Sequence, residues 1–182
     1  MKTVYETNRL VLKILGPDAM RPVLDFQLRN RELFERYEPT RPDNFYTLAH
    51  QQAILKCEQK LALSLSTVRF YVFLKENPLP IIGTVCLRDI VRMPYFCCEI
   101  GYKFDHAYHH MGYAREAVDA AVTIAFRDLM LHRVFARVIP DNLASVRLLS
   151  DLSFTEEGLE RDCILIQGKW TDHLRFGRIC PF

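Results

Sequence analysis

The sequence predicts an α+β fold built on a mixed, mostly antiparallel sheet of about seven strands, and three observations predict it. Residues 69–75, 81–90 and 96–104 are rich in Val, Ile, Phe and Tyr, and are separated by Asn77, Pro78 and Pro80 and then by Met93 and Pro94. Strands joined by such short turns form an antiparallel meander. A long amphipathic helix follows, with Ala114, Ala117, Val118, Ala121, Val122, Ala125 and Leu129 on one face and Glu116, Asp119, Thr123 and Arg127 on the other. Residues 133–139 again read as a strand, so strand, helix and strand make a right-handed crossover that sets two strands parallel.

The remaining elements frame this centre. Residues 9–14 alternate imperfectly and stop at Gly16 and Pro17, as a first strand does. Between 18 and 38, Val23, Leu24, Leu28, Leu33 and Phe34 recur at helical spacing within the limits set by Pro22 and Pro39, which predicts two short helices. Thr47 caps a longer helix with an apolar stripe of Ile54, Leu55, Cys57, Leu61 and Leu65. A helix over 142–152 and strands around 163–167 and 174–179 close the chain, with Trp170 expected to pack on the core at the turn before the last strand. At 182 residues, 49% of them hydrophobic, and without repeats or a linker, 1–182 reads as one domain.

The formal charge is +2, from 24 basic and 22 acidic residues scattered along the chain, which argues against a nucleic-acid partner. Six cysteines lie mostly in apolar runs without CxxC pairs, and the vicinal Cys97 and Cys98 point to opposite faces of a strand. They read as reduced thiols in or near the core. MKTVYETNRLVLKIL lacks the apolar block of a signal peptide, and no stretch approaches the roughly 20 apolar residues of a membrane span. A cytoplasmic protein with no membrane partner is expected.

The chemistry is concentrated in EIGYKFDHAYHHMGYAREAVDAAV, where a strand turns into the long helix. A helix N-terminus presents unpaired amides and partial positive charge, which suits phosphate oxygens. Gly112 lets the main chain approach a ligand, and Ala114 leaves little side chain in the way. Residues 109–114 therefore read as an anion cradle, with His109 and His110 either touching phosphate or forming a solvated loop pair.

Taken with TNRLVLKIL, LHRVFARVIPDNLASVRLL, FTEEGLER and GKWTDH, this segment makes the chain resemble the GNAT superfamily of acyl-coenzyme A dependent N-acetyltransferases, in its RimJ/RimL-like branch. The resemblance covers nearly the whole chain. It implies a sheet splayed between its fourth and fifth strands, helices on both faces, and acetyl-CoA as co-substrate with no metal. It places coenzyme contacts at Phe104, His109, His110, Met111, Gly112, Tyr113, Ala114, Asn142 and Ser145. The family's usual Gln or Arg at the start of the cradle is His109 here, and its Leu-Gly-Phe after the last helix is Leu152, Ser153, Phe154.

Acyl transfer from a thioester needs a neutral amine, a donor for the departing thiolate and a fixed N–H for the oxyanion between them. Ser145 stands three residues after Asn142 in DNLAS, so both fall on the first turn of a helix, Ser145 near sulfur and Asn142 on the pantetheine arm by the resemblance. Asn142 also reads as a helix cap, and Ser145 as a small packed residue. A Tyr used further along this helix by many relatives is replaced by Leu149. Glu99 is the candidate for activating the amine, directly or through water, with a structural carboxylate bonded to backbone or Arg as the other reading; Arg137 stands where several branches carry a catalytic Glu. Tyr37, Glu38 and Arg41 fall on the acceptor side of the family's fold.

The expected function is transfer of acetyl to a primary amine, at a protein N-terminus such as that of a ribosomal protein or on a small molecule. A non-catalytic acyl-CoA binding or regulatory module is the alternative, and a homodimer through a sheet edge is compatible with both. A Rossmann domain is set aside, since no GxGxxG occurs and the strands before the cradle form a meander.

Overall fold

A computed structural model describes residues 1–181. The strands are β1 (Val4–Glu6), β2 (Leu10–Lys13), β3 (Val68–Leu74), β4 (Gly83–Val91), β5 (Cys97–Phe104), β6 (Arg133–Val138), β7 (Thr155–Ile166) and β8 (Lys169–Ile179). The helices are α1 (Met20–Arg29), α2 (Arg31–Glu35), α3 (Leu48–Leu63), α4 (Tyr113–Arg127) and α5 (Leu143–Asp151). One sheet runs in the order β1-β2-β3-β4-β5-β6-β8-β7, and its only parallel pair among the described residues is β5 with β6.

β3 shows why the meander reads as an almost continuous apolar run. Successive side chains point to opposite faces. Val68, Phe70 and Val72 enter the core shared with α4 and α5, while Tyr71 and Phe73 join Val23, Phe26 and Leu55 of α1 and α3. Both faces are covered, so neither parity of the strand is polar. On α4 the buried residues Ala117, Val118, Ala121, Val122 and Ala125 are small, which lets the helix lie close to the sheet. Each buried Val or Leu contributes about 1.5–3 kcal/mol, so these two layers carry most of the fold.

The differences from expectation lie at the edges. An eighth strand, β1, precedes the first one read from sequence, and the expected fourth and fifth strands are β5 and β6. β1 is three residues long and mostly exposed, too short to show a period. β7 begins at Thr155, well before the expected 163, because TEEGLERD is a polar edge strand with two register shifts. Gln167 and Gly168, at φ 48 and 76, form the two-residue turn into β8. Trp170 lies just past that turn and is 61% exposed, so it does not pack on the core: the hairpin tip projects beyond the second layer. Thr47 does cap α3, accepting from the His50 amide. The buried stripe of α3 is Gln51, Leu55 and Ala62, which turns Cys57 to solvent and corrects its reading as a core thiol. All six cysteines are free.

β5 pairs with β6 only through Cys97↔Arg133, Cys98↔Val134 and Glu99↔Phe135. Beyond Glu99, β5 stays on β4 as far as Phe104, while β6 stays on β8 as far as Val138. The sheet therefore splits, and β5 main-chain groups that face β6 lose their ladder partners. At the end of this wall Phe104 packs on Gly83, where an added Cβ would come within 2.3 Å of the ring. Gly83→Ala is expected to destabilise the protein by about 1–3 kcal/mol in urea unfolding, through overpacking against the Phe104 ring.

Candidate active site

The loop between β5 and α4 is built to leave its amides free. His110 and Gly112 have left-handed backbones, at φ 62 and 77, with an ordinary residue between them. Alternating handedness of this kind makes an anion-binding concavity. The amides of residues 110–115 donate to no acceptor among the described residues, and Glu116 is the first to close a helical bond, to the Gly112 carbonyl. Asp105 caps the short 3-10 turn before the loop, accepting from Ala107, and its other oxygen is tied to Arg29 at 2.5 Å. His109 donates through Nε2 to the Phe104 carbonyl at 3.1 Å, so its ring fastens the loop to the end of β5.

The start of α4 is held by the N-terminal strand. The Thr7 hydroxyl, the Arg9 amide and the Arg9 guanidinium all donate to the Glu116 carboxylate, at 2.6, 2.8 and 2.7 Å. Burial works against the ionised form of Glu116, but these three donors outweigh it and hold the carboxyl below the usual range. Arg9 also reaches the Met111 carbonyl at 3.0 Å and stacks on Tyr113.

A cleft of about 630 Å³ runs from this loop along the opening between β5 and β6 to α5. Phe104, His109, His110, Gly112, Tyr113, Ala114, Asn142 and Ser145 all line it; Met111 does not, and its side chain is half exposed. Asn142 caps α5, its Oδ1 accepting from the Ser145 amide at 3.2 Å, while its Nδ2 stays free for the cleft. The Ser145 hydroxyl has no partner among the described residues. Tyr102 spans the split, its hydroxyl donating to the Ser145 carbonyl at 3.4 Å, and burial raises its pKa.

Glu99 lies below the cleft and does not line it. Its two oxygens accept from Arg88 at 2.5 Å and Arg137 at 2.6 Å, and its side chain is 4% exposed. Arg137 continues to Glu160, which also holds Arg175.

A second chamber, of about 360 Å³, opens on the α1 and α3 side and meets the cleft at Gly101, Tyr102, Lys103, Arg137 and His173, with Tyr37 and Glu38 on its rim. His173 is buried, and burial pushes its pKa below the ordinary value, so the ring is neutral at neutral pH. Nδ1 lies 3.2 Å from the Thr171 carbonyl and 3.4 Å from Cys163 Sγ; the carbonyl can only accept, so the tautomer that bonds it carries the proton on Nδ1 and has Nε2 as acceptor. Sequence reading gives His173 no more than a place in the turn and strand start of GKWTDH, because one histidine in a strand carries no spacing signal. Lys103 ion-pairs with Glu38 at 2.7 Å and is largely buried.

The chain matches known proteins in both sequence and fold. Residues 9–155 match the acetyltransferase (GNAT) domain, and the chain belongs to that family. It is an N-acetyltransferase, related to enzymes that acetylate ribosomal proteins, rather than a binding module. The [ribosomal protein uS5]-alanine N-acetyltransferase of Escherichia coli (strain K12) is 31% identical over 174 residues, which cover 95% of this chain and 89% of that one. The crystal structure of ribosomal-protein-S5-alanine acetyltransferase from Vibrio fischeri superposes with a TM-score of 0.92 at 28% identity, covering 98% of this chain and 97% of that one. Mycobacterium smegmatis RimJ in complex with CoA-disulfide shares the fold at a TM-score of 0.91 and 20% identity, covering 98% of this chain and 88% of that one.

Lys103 supplies a prediction from its burial. Desolvation, opposed by Glu38, lowers its pKa from 10.5 to about 8. Between those values the unfolded chain holds a proton at this site that the folded chain has lost, so stability rises with pH across the window. Urea unfolding is expected to show the wild type gaining on Lys103→Met between about pH 8 and 10, since Met cannot titrate.

Proposed function

We propose that this enzyme uses acetyl-coenzyme A to acetylate the α-amine at a protein N-terminus by direct transfer, with residues 1–182 acting as one domain. The observation that carries the reading is the row of free amides over 110–115 at the mouth of a cleft that leads to the unpartnered Ser145 hydroxyl. The E. coli and V. fischeri relatives, named for acetylating an alanine of a ribosomal protein, support the acceptor class.

The residues present fit the coenzyme. Amides of the loop, with Gly112, Tyr113 and Ala114 close to the main chain, would hold the pyrophosphate; Asn142 Nδ2 and the open edge of β5 would hold the pantetheine arm. When bound, the coenzyme supplies an activated acetyl thioester. Ser145 donates a hydrogen bond to the departing sulfur. Main-chain N–H groups of β5 beyond Glu99 face the charge that builds on the acyl oxygen. Glu99 acts as a positioning carboxylate, holding Arg137 at the junction of the two chambers, and His173 Nε2 takes the amine proton directly or through one water. Buried among apolar neighbours and arginines, the acceptor amine is favoured in its neutral form.

Mixing the protein with acetyl-coenzyme A and a panel of peptides, polyamines and aminoglycosides, while following free thiol, tests the reading; release no faster than the blank across the panel overturns it. Ser145→Ala is expected to lower kcat about ten- to a hundredfold with coenzyme affinity unchanged, as loss of one hydrogen-bond donor in the transition state requires. Gly112→Val forces a branched side chain into a left-handed backbone at φ 77, with Arg9 3.3 Å from the new Cβ. It is expected to weaken coenzyme A binding about tenfold or more by calorimetry, while the circular dichroism stays native.

A further inference from the structure

The second chamber carries a charge pattern that its role as a mere passage does not explain. Its floor is built on one sheet face from the cross-strand rows Tyr71, Thr84 and Lys103, then Arg69, Cys86 and Gly101, and ends at Arg88, whose cross-strand partner Glu99 does not line the chamber. Arg41, Arg69, Arg88, Lys103 and Arg137 line it, against two carboxylates, Glu38 and Glu58. The carboxylates are shared. Glu38 serves both Arg41 and Lys103, Glu99 serves both Arg88 and Arg137, and Glu160 serves both Arg137 and Arg175, so only Arg69 has a carboxylate, Glu58, that no other cation uses. The five cations that line the chamber thus face two carboxylates on its wall, with Glu99 and Glu160 outside it behind Arg88 and Arg137, and Glu160 shared with Arg175, which also reaches Glu157 at 3.7 Å.

An independent observation points to the same place. Among the described residues, two buried side-chain polar atoms lack a hydrogen-bond partner, Thr84 Oγ1 and Arg41 Nε, and both residues line this chamber. Thr84 is 1% exposed, so its hydroxyl has no bulk water to turn to. Buried donors without acceptors are costly, and an acceptor-only group entering the chamber would satisfy both once the two side chains turn toward it.

We propose that the chamber is a carboxylate subsite for the acceptor: the amine sits at the junction beside His173 and Tyr102, and an acidic side chain close behind it in the acceptor reaches Arg41, Arg88 and Thr84. The inference rests on the N-terminal acceptor proposed above and names its sequence preference. Guanidiniums are strong, charge-assisted donors to carboxylate oxygens, and a hydroxyl adds one more donor. A lysine or arginine at the same place in the acceptor meets the surplus positive charge and is rejected, so the pocket selects by repulsion as well as attraction. A free acidic amino acid offers the same chemistry without a peptide chain.

The test uses short peptides that differ only in carrying Glu, Gln or Lys at the second and third positions, together with free glutamate. Thiol release from acetyl-coenzyme A gives kcat/KM, and calorimetry with coenzyme A in place of the acetyl form gives affinity without turnover. The Glu peptide is expected to exceed the Gln peptide about tenfold or more in both assays, with the Lys peptide weakest. Thr84→Val, which keeps the shape and removes the hydroxyl, and Arg41→Gln are each expected to cut the Glu-to-Gln ratio to about threefold or less, a change that a purely structural role would not produce. Free glutamate matching the Glu peptide would support the subsite and assign it to amino acids. Equal affinity and equal rates for the three peptides would overturn it. Should no amine release thiol, acetyl transfer fails as a reading, and the calorimetric ratio still decides the subsite.

Discussion

Glu99 sits in the last residue pair that joins β5 to β6, and its two ion pairs tie together the three strands that meet there. Arg88 comes from β4 and Arg137 from β6, so the carboxylate bridges its neighbours on both sides at the point where the sheet divides. A charge so far from water persists only with its partners. Both arginines are partly exposed, so loss of either one leaves the buried carboxylate its other partner. Arg137 passes the constraint on to Glu160 of β7. The opening therefore starts at a defined residue, and the cleft on one side and the chamber on the other both take their position from it.

The cradle depends on groups remote in sequence. Six free amides in a loop would otherwise turn to water, or the loop would tighten on itself. Here Arg29 holds Asp105, His109 holds the end of β5, and Thr7 with Arg9 holds the first turn of α4. Glu116 gains twice from this position. It answers three donors, and as an anion in the first turn it sits favourably with the helix dipole. The amides ahead of it stay unpaired and face the cleft.

The two sides of the site differ in kind. On the function proposed above, the donor side offers the free amides of the loop and much apolar surface, which suits a long flexible arm with phosphates at one end. On the acceptor side, charged side chains share too few carboxylates, and buried polar atoms go unmatched. His173, Tyr102 and Arg137 stand where the two meet. A chain of near-zero net charge thus conceals a local surplus that composition averages away.

Much of this was legible in the residues alone. Alternation and turn residues gave the meander, the Ala-rich face gave α4, Gly112 before that helix marked the cradle, and DNLAS marked the capped start of α5. Each is a local signal, carried by spacing within one element. β1 and the first half of β7 were not legible, because an exposed edge strand has no apolar face to reveal its period. For the same reason Trp170 read as core when its hairpin extends past the second layer. Glu99 was singled out as the candidate for activating the amine, and the structure sets it outside the cleft between two arginines. Whether it faced a substrate or two arginines depended on Arg88 and Arg137, which lie 11 and 38 residues away. His173 and the cationic chamber depended likewise on strands and helices from across the chain. The sequence by itself determined the elements and the place of the cradle, since hydrophobic period, capping and glycine act over a few residues. Only the tertiary structure decided the partners of each charge, since burial and ion pairing are set by which strands become neighbours.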